Sequence, residues 1–220
     1  AAIIRKIYNN DIYFYPVNYN IDFPFHLISE NDKVWIVDYS LQKEGDWDRL
    51  LFLTKNIRWI DHHKTAIDSS VANGVGSLAG LRDVGEAGCV LAWKYCFPGQ
   101  EPPKAVKLVG DHDIWRFEFG DETKQFNKGL HAIIDTRPVS FFWDTVLISE
   151  DQDVRHFDRR VSEDKIYEIC KVGKQILTKQ AISDSQALTA WGFEVEFEGY
   201  HCVSINRGGV GSTFFDSIGE

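Results

Sequence analysis

The sequence contains no methionine in its 220 residues. A natural chain normally carries an initiator methionine and several internal ones. We therefore expect either a fragment of a longer protein or a sequence from which methionine positions are missing. In the second case spacings hold only over short distances, so local motifs carry more weight than long-range periodicity.

Long hydrophobic runs are absent as well. No stretch approaches the roughly 18 apolar residues of a membrane helix, and no signal-peptide pattern is visible. A hydrophobic content of 44% with 26% charged residues is typical of a soluble globular chain that can bury a core. A length of 220 residues favours two unequal domains.

Cysteine is scarce, and its spacing excludes the common cysteine metal sites. The four residues show no paired ligand spacing, which predicts reduced thiols in a cytoplasmic protein. They are Cys89, Cys96, Cys170 and Cys202.

Positive charge is also limited, since the formal net charge is -9. This argues against a protein that coats long duplex nucleic acid, which needs a broad phosphate-neutralising surface. A nucleotide or a short oligonucleotide remains compatible, because bound divalent ions cancel local acidity. Lys64 and Arg207 are candidates to contact one or two phosphates, although each is also explained as a solvated surface charge.

Acidic and imidazole side chains directly follow three apolar segments. The carboxyl ends of neighbouring parallel strands line one crevice, so we expect these side chains to converge. Carboxylate and neutral imidazole are usual ligands of Mn, Zn and Fe, which predicts a divalent-metal site. The three sets are Asp61, His62 and His63 after the strand 57–60, Asp38 after the strand 34–37, and Asp111 after the apolar stretch 105–110.

Each piece taken alone has a simpler explanation. Asp38 or Asp111 could serve only as a helix cap or an Asx-turn. Asp113 is an alternative to Asp111, because on an irregular loop either could be the ligand. We prefer Asp111 because it lies closer to the apolar run.

In this context the sequence resembles the DHH phosphoesterases, a family named for its Asp-His-His signature. The resemblance covers most of the chain and rests on three motifs in order. They are Ile36-Val37-Asp38-Tyr39-Ser40, Trp59-Ile60-Asp61-His62-His63-Lys64-Thr65-Ala66 and Gly110-Asp111-His112-Asp113-Ile114-Trp115. The tripeptide alone is weak evidence, whereas the strand context and flanking motifs are more specific.

The resemblance implies a two-metal hydrolase that acts on nucleotides or short oligonucleotides. Two Mn²⁺ ions are expected, with Mg²⁺ or Co²⁺ as alternatives. Asp38 would bridge both ions, while His62 and Asp111 would bind the second. His63 would face the substrate phosphate, and Asp61 would orient its neighbours.

One family motif, His-x-Asp-x-Asp, is missing, and it would supply further ligands. Residues 1–8 resemble the helix that follows it, so we expect the motif upstream of residue 1 or a degenerate site.

The hydrophobic pattern predicts a doubly wound, mainly parallel α/β sheet over residues 1–157. The predicted strands of this domain are 12–15, 34–37 and 57–60. Its predicted helices are 86–97 and a segment from 102 to just before Asp111. An amphipathic linker helix is expected over 158–180, with Gly173 on its apolar stripe. Residues 181–220 would begin a second, smaller α/β domain, only partly present, with strands at 193–197 and 200–205. Arg207 then lies in a turn or contacts substrate.

Two alternatives stay open besides the phosphoesterase. An inorganic pyrophosphatase or exopolyphosphatase shares the metal core, and a non-catalytic nucleotide-binding module could keep the signature without activity. An exposed tryptophan among Trp35, Trp59, Trp93 and Trp115 could stack a base and would favour nucleotides. The expected protein has no membrane partner, and a homodimer is left open.

Overall fold

The computed structural model describes residues 1–8, 11–72, 74–148, 156–211 and 214–215. These residues form a mixed α/β structure that is mostly helical, with one parallel and one antiparallel pair of strands. In chain order the elements are α1 (Ala2–Ile7), β1 (Val34–Val37), α2 (Asp46–Leu53), β2 (Ile57–Ile60), α3 (Lys64–Ser69), α4 (Gly88–Cys96), α5 (Lys104–Asp113), α6 (Asp121–Ile133), α7 (Phe142–Val146), α8 (His156–Trp191), β3 (Gly192–Phe197) and β4 (Tyr200–Ile205).

The parallel pair places two of the predicted strand ends side by side. β1 and β2 run in register, with Val34 opposite Ile57 and Val37 opposite Ile60. Both strands are short and rich in β-branched and aromatic residues, which favour extended backbone. α2 connects them and buries Trp47 against the same core as Trp59. Both strands therefore end at one edge, as predicted.

The described residues do not form the predicted doubly wound sheet. Residues 12–15, predicted as a strand, have no regular secondary structure and pair with no strand in these ranges. On the other side of β2, isolated parallel bridges join Arg58 to Ala79 and Asp61 to Arg82. A strand requires a hydrogen-bonded neighbour, so apolar composition alone predicted too much sheet.

Two helices bring the third motif to the parallel pair. α4 is buried around much of its circumference, including Leu91 and Trp93, as its apolar sequence predicts. α5 begins after Pro103 and continues to Asp113. The prediction that this helix ends before Asp111 was wrong, because no residue at that point interrupts the helical backbone.

The long helix α8 extends beyond the predicted linker helix 158–180 at both ends. The sequence after Gln180 contains neither glycine nor proline until Gly192, so nothing stops the helix earlier. Gly173 packs closely, because an added Cβ would lie 1.8 Å from Gln125 O of α6. The division of the chain into domains at 157 and 180 stays a prediction.

Both strands predicted at 193–197 and 200–205 are confirmed as β3 and β4, and the structure pairs them as an antiparallel hairpin with Phe197 opposite Tyr200. Gly199 at its turn has a φ of +83°, a conformation that glycine adopts without strain. Within the described ranges, no helix combines the length and apolar character needed to cross a membrane.

Candidate metal centre

Asp38 lies at the carboxyl end of β1 in an unusual backbone conformation. Its φ is +56°, which is uncommon for a residue other than glycine. The turn is fixed by a hydrogen bond of 2.9 Å from Asp38 N to Ile60 O of β2. Gly88, at the start of α4, packs against the side chain, since an added Cβ there would lie 3.0 Å from Asp38 Oδ1. The carboxylate is thus held in place between β2 and α4.

His62 follows the end of β2 and faces two carboxylates. Its Nε2 lies 3.1 Å from Asp38 Oδ1 and 3.5 Å from Asp113 Oδ2. The imidazole side chain is 14% exposed, whereas the two carboxylates are more accessible. His62 Nε2 therefore lies between the carboxylate that follows β1 and the carboxylate at the end of α5.

The structure brings Asp113, the alternative, into this cluster rather than the preferred Asp111. Because both residues lie in α5, their side chains point about 200° apart around the helix. Asp111 was preferred because it lies closer to the apolar run, but closeness in sequence does not say which face of a helix a side chain occupies. Only one of them can face His62, and it is Asp113.

The Asp111 carboxylate is used to anchor the loop that follows α5. It accepts hydrogen bonds from Glu118 N at 2.8 Å, from Phe119 N at 3.3 Å and from the buried Thr123 hydroxyl. Burial disfavours the charged form, but these three hydrogen bonds outweigh it and lower the pKa of Asp111 below its usual value. The placement gives Asp111 a structural role and no contact with His62.

Asp61, for which the family resemblance implies an orienting role, contacts the backbone of both histidines and the ring of His63. Its side chain is fully buried, and Oδ1 accepts hydrogen bonds from His62 N at 2.8 Å and His63 N at 3.1 Å. The same oxygen lies 2.7 Å from His63 Nδ1. This hydrogen bond raises the pKa of His63, although partial burial opposes the shift. Among the described residues Asp61 Oδ2 has no partner, so one buried oxygen beside the cluster stays unsatisfied.

The position of His63 differs from that of His62. Its Nδ1 is engaged by Asp61 and lies 4.0 Å from Asp38 Oδ1. The ring is about half exposed, since 43% of its side-chain surface is accessible. His63 belongs with Asp38 and His62 to the group of converging ligand atoms. Because Asp61 holds Nδ1, Nε2 is the nitrogen left to meet a ligand or a substrate.

The two carboxylates of the cluster repel each other. Burial raises the pKa of Asp113, and the nearby charge of Asp38 raises it further, although the neighbouring histidines oppose the shift. A divalent cation between the two groups would replace this repulsion with attraction. The electrostatics of the cluster therefore favour cation binding.

The spacing also fits one ion. Ligand atoms that share a divalent ion at about 2.0–2.2 Å lie roughly 3–3.5 Å from one another. The separations of 3.1 and 3.5 Å around His62 Nε2 fall in this range. In the described ranges, the group whose ligand atoms all lie within 4.8 Å of one another consists of Asp38, His62 and His63, and Asp113 adjoins it through His62 Nε2. A second ion stays a prediction.

Cys89 lies near the cluster but does not extend its ligand set. Burial raises the pKa of Cys89 to about 12, and the charges of Asp113 and Asp38 act in the same direction. The group of converging ligand atoms in the described ranges consists of Asp38, His62 and His63 and does not include Cys89.

The two basic residues predicted to contact substrate lie outside the cluster. Lys64, the first residue of α3, pairs with Asp68 at 2.6 Å. Arg207 follows β4, and its guanidinium carbon lies 5.5 Å from the centre of the Phe214 ring. No described contact joins either residue to the three ligand groups.

A cavity of about 900 Å³ opens beside Asp38 along the outer edge of β1. Its volume lies within the range of small-molecule sites, roughly 300–1,000 Å³. The wall carries tyrosines, among them Tyr8 and Tyr39, together with Arg137. Solvent and small molecules can thus approach Asp38 from this side.

Two contributors to the site were missed by sequence reasoning. Gly88 lies in the predicted buried helix 86–97, and no nearby sequence pattern indicates its contact with Asp38. Thr123 lies in a different helix from Asp111, its hydrogen-bond partner, so only the packing of α6 against α5 reveals it.

Comparison of the chain with protein-family models, with curated proteins and with solved structures finds no match. Membership of the DHH phosphoesterases therefore stays a proposal, which depends on the motifs and on the geometry of the cluster.

Proposed function

We propose that this chain is a metal-dependent phosphoesterase that hydrolyses nucleotides or short oligonucleotides. The observation that carries the proposal is the convergence of Asp38, His62 and Asp113 beside a histidine that a buried carboxylate orients. The resemblance of the three motifs to the DHH phosphoesterases supplies the reaction class.

Asp38, His62 and Asp113 would hold a divalent ion. Mixed oxygen and imidazole donors favour Mn²⁺, with Mg²⁺ or Co²⁺ as substitutes. When bound, such an ion supplies a water nucleophile near neutral pH and neutralises charge on phosphoryl oxygens.

The residues of the chain contribute positioning and a contact to the substrate. Asp61 holds the His63 ring through Nδ1, so Nε2 is directed to a group outside the protein. A phosphoryl oxygen at that position would be contacted more strongly in the transition state, where it gains charge. The hydrogen bond to Asp61 fixes the ring before substrate arrives, which reduces the cost of binding.

Two broader features belong to the same proposal. The outer edge of β1 has no paired strand in the described ranges, so a further parallel strand could extend the pair into a doubly wound sheet.

All four cysteines are free, which favours a reducing compartment such as the cytoplasm.

The test uses purified protein freed of metal and then titrated with Mn²⁺ by calorimetry. Hydrolysis of a short single-stranded RNA, adenosine bisphosphate, a cyclic dinucleotide and pyrophosphate is measured before and after chelation. We expect chelator-sensitive release of mononucleotide or phosphate. Hydrolysis of pyrophosphate alone would contradict a nucleotide substrate, and bound Mn²⁺ without any turnover would indicate a binding module.

Variants connect the activity to the cluster. Asp38→Asn and Asp113→Asn should each weaken Mn²⁺ binding by more than about 100-fold, since loss of even an outer partner of a ligand costs 10- to 100-fold. Asp48→Asn is the matched control, because Asp48 is an exposed carboxylate on α2. Equal Mn²⁺ affinity in all four proteins would contradict the proposed site.

A further inference from the structure

The loop directly after α5 carries an exposed tryptophan next to the candidate metal centre. Trp115 is 62% exposed, whereas Trp59 and Trp93 are fully buried. Tryptophan is enriched at binding interfaces, because its ring is apolar while its N–H can donate a hydrogen bond. Trp115 is therefore the most exposed member of the tryptophan set, whereas Trp35 is half-buried and lines the cavity beside Asp38.

The loop that carries Trp115 is held in place from several sides. Arg116 N donates to Asp111 O at 3.0 Å, and Arg116 Nη2 donates to Gly85 O at 2.7 Å. The Asp111 carboxylate accepts from the backbone of Glu118 and Phe119. These contacts join the loop to α5 and to the segment before α4.

The held conformation is one that aromatic residues rarely adopt. Trp115 has a φ of +54° and Phe117 a φ of +53°. Such conformations are disfavoured for bulky residues and persist where the surrounding contacts fix them. The loop therefore presents its rings in a fixed arrangement, which lowers the ordering cost of binding a ligand.

The rings form a small aromatic platform made of Trp115, Phe117 and His112. The centre of the Trp115 ring lies 5.5 Å from that of Phe117, edge to face, and 5.9 Å from that of His112. Lys124 Nζ lies 5.5 Å from the Phe117 ring centre, and Lys124 is exposed to solvent. An aromatic platform beside an available cation suits a base with its phosphate.

The platform is close to the cluster in sequence and in space. Trp115 is two residues from Asp113, so their Cα atoms are at most about 7.6 Å apart. A phosphoester at the cluster would therefore bring an attached nucleoside within reach of the indole. Inorganic pyrophosphate carries no base, so it could not contact the indole of Trp115 in this way.

We propose that Trp115, supported by Phe117 and His112, stacks a nucleobase of the substrate whose phosphate binds at Asp38, His62 and Asp113. This inference rests on the proposed phosphoesterase function and narrows its substrate to base-containing phosphoesters. Stacking is tolerant of base identity, so we expect weak discrimination among bases.

The test compares the wild type with Trp115→Ala on a short oligonucleotide and on an abasic oligomer with the same backbone, both with Mn²⁺. We expect the variant to raise KM for the oligonucleotide by about 5- to 150-fold, the range for loss of one stacked base. kcat should change little, and KM for the abasic oligomer should not change. Trp115→Phe should restore part of the affinity.

Phe52→Ala is the matched control, because Phe52 is an aromatic residue on α2 that is 86% exposed. It should behave as the wild type on both oligomers. An unchanged KM in Trp115→Ala, or an equal rise for both oligomers, would overturn the stacking role.

A binding measurement separates failure of this inference from failure of the proposed function. Adenosine monophosphate and ribose 5-phosphate are titrated by calorimetry into the wild type and Trp115→Ala. Preferential binding of the adenosine compound that is lost in the variant supports stacking, even if no substrate is hydrolysed. Hydrolysis with no such preference leaves the phosphoesterase and refutes the platform. Self-association of the wild type that disappears in the variant, without loss of nucleotide binding, would also refute it.

Discussion

Replacing Asp111 with asparagine should weaken the fold and leave metal binding intact. The buried carboxylate accepts three hydrogen bonds, from Glu118 N, Phe119 N and the Thr123 hydroxyl. Asparagine retains one acceptor oxygen and no charge, so at least one of these bonds is lost. A hydrogen bond to a charged group contributes about 1.5–3 kcal/mol, and we expect a loss of about 2–3 kcal/mol in the free energy of unfolding.

The assay is thermal unfolding followed by circular dichroism, with Mn²⁺ affinity measured on the same samples. For a chain of this size the expected loss corresponds to a fall in Tm of about 5–10 °C. The folded state lowers the pKa of Asp111 below its usual 3.8, so its stabilisation is present above that pH. This stabilisation is lost as the pH falls through the lowered pKa of Asp111. The Tm values of the wild type and of Asp111→Asn should therefore converge in acid.

Asp113→Asn is the informative comparison for this prediction. It lies two residues away in the same helix but faces His62 instead of Thr123. We expect it to lose Mn²⁺ affinity while Tm stays the same or rises slightly, since repulsion with Asp38 is removed. The opposite pattern, with Asp111→Asn losing Mn²⁺ at an unchanged Tm, would refute the assignment of the two residues.

The remaining predictions concern the oriented histidine and the packing of the long helix. His63→Ala should keep Mn²⁺ affinity within about threefold and reduce kcat roughly 100- to 1,000-fold, because it removes a contact made in the transition state. Calorimetry measures the affinity and initial rates measure kcat. A large loss of Mn²⁺ affinity would show instead that His63 is a metal ligand. Gly173→Ala should destabilise the protein by about 1–3 kcal/mol in urea unfolding, because its Cβ would meet Gln125 O at 1.8 Å. Gly208→Ala is the control, because no atom lies within 4 Å of the added Cβ and the free energy of unfolding should hardly change. An equal loss of stability in both variants would argue against close packing of α6 and α8.

Local sequence patterns predicted most individual elements of this chain. Apolar β-branched runs ending in Asp38 and in Asp61 predicted β1 and β2. Strands were also predicted where β3 and β4 lie, whereas their antiparallel pairing was not. The stripe that includes Ile166 and Ile169 predicted α8, and both residues are buried there. These patterns succeed because each depends on residues close together in the chain.

The extent of the sheet could not be predicted in the same way. Residues 12–15 have the composition of a strand, but a strand is defined by a partner that lies elsewhere in the sequence. The end of α8 is a related case, since a helix continues until something stops it and the amphipathic stripe did not mark that point.

The sequence by itself determined that carboxylates and imidazoles follow the ends of two parallel strands, and the structure brings Asp38 and His62 to 3.1 Å. Only the tertiary structure decided which aspartate of the third motif joins them. One helical backbone turns Asp113 toward His62 and Asp111 toward Thr123, and the difference depends on helix phase and on the packing of α6. It likewise decided that Trp115 lies outside the core, because the anchors of its loop come from residues far apart in sequence, such as Gly85.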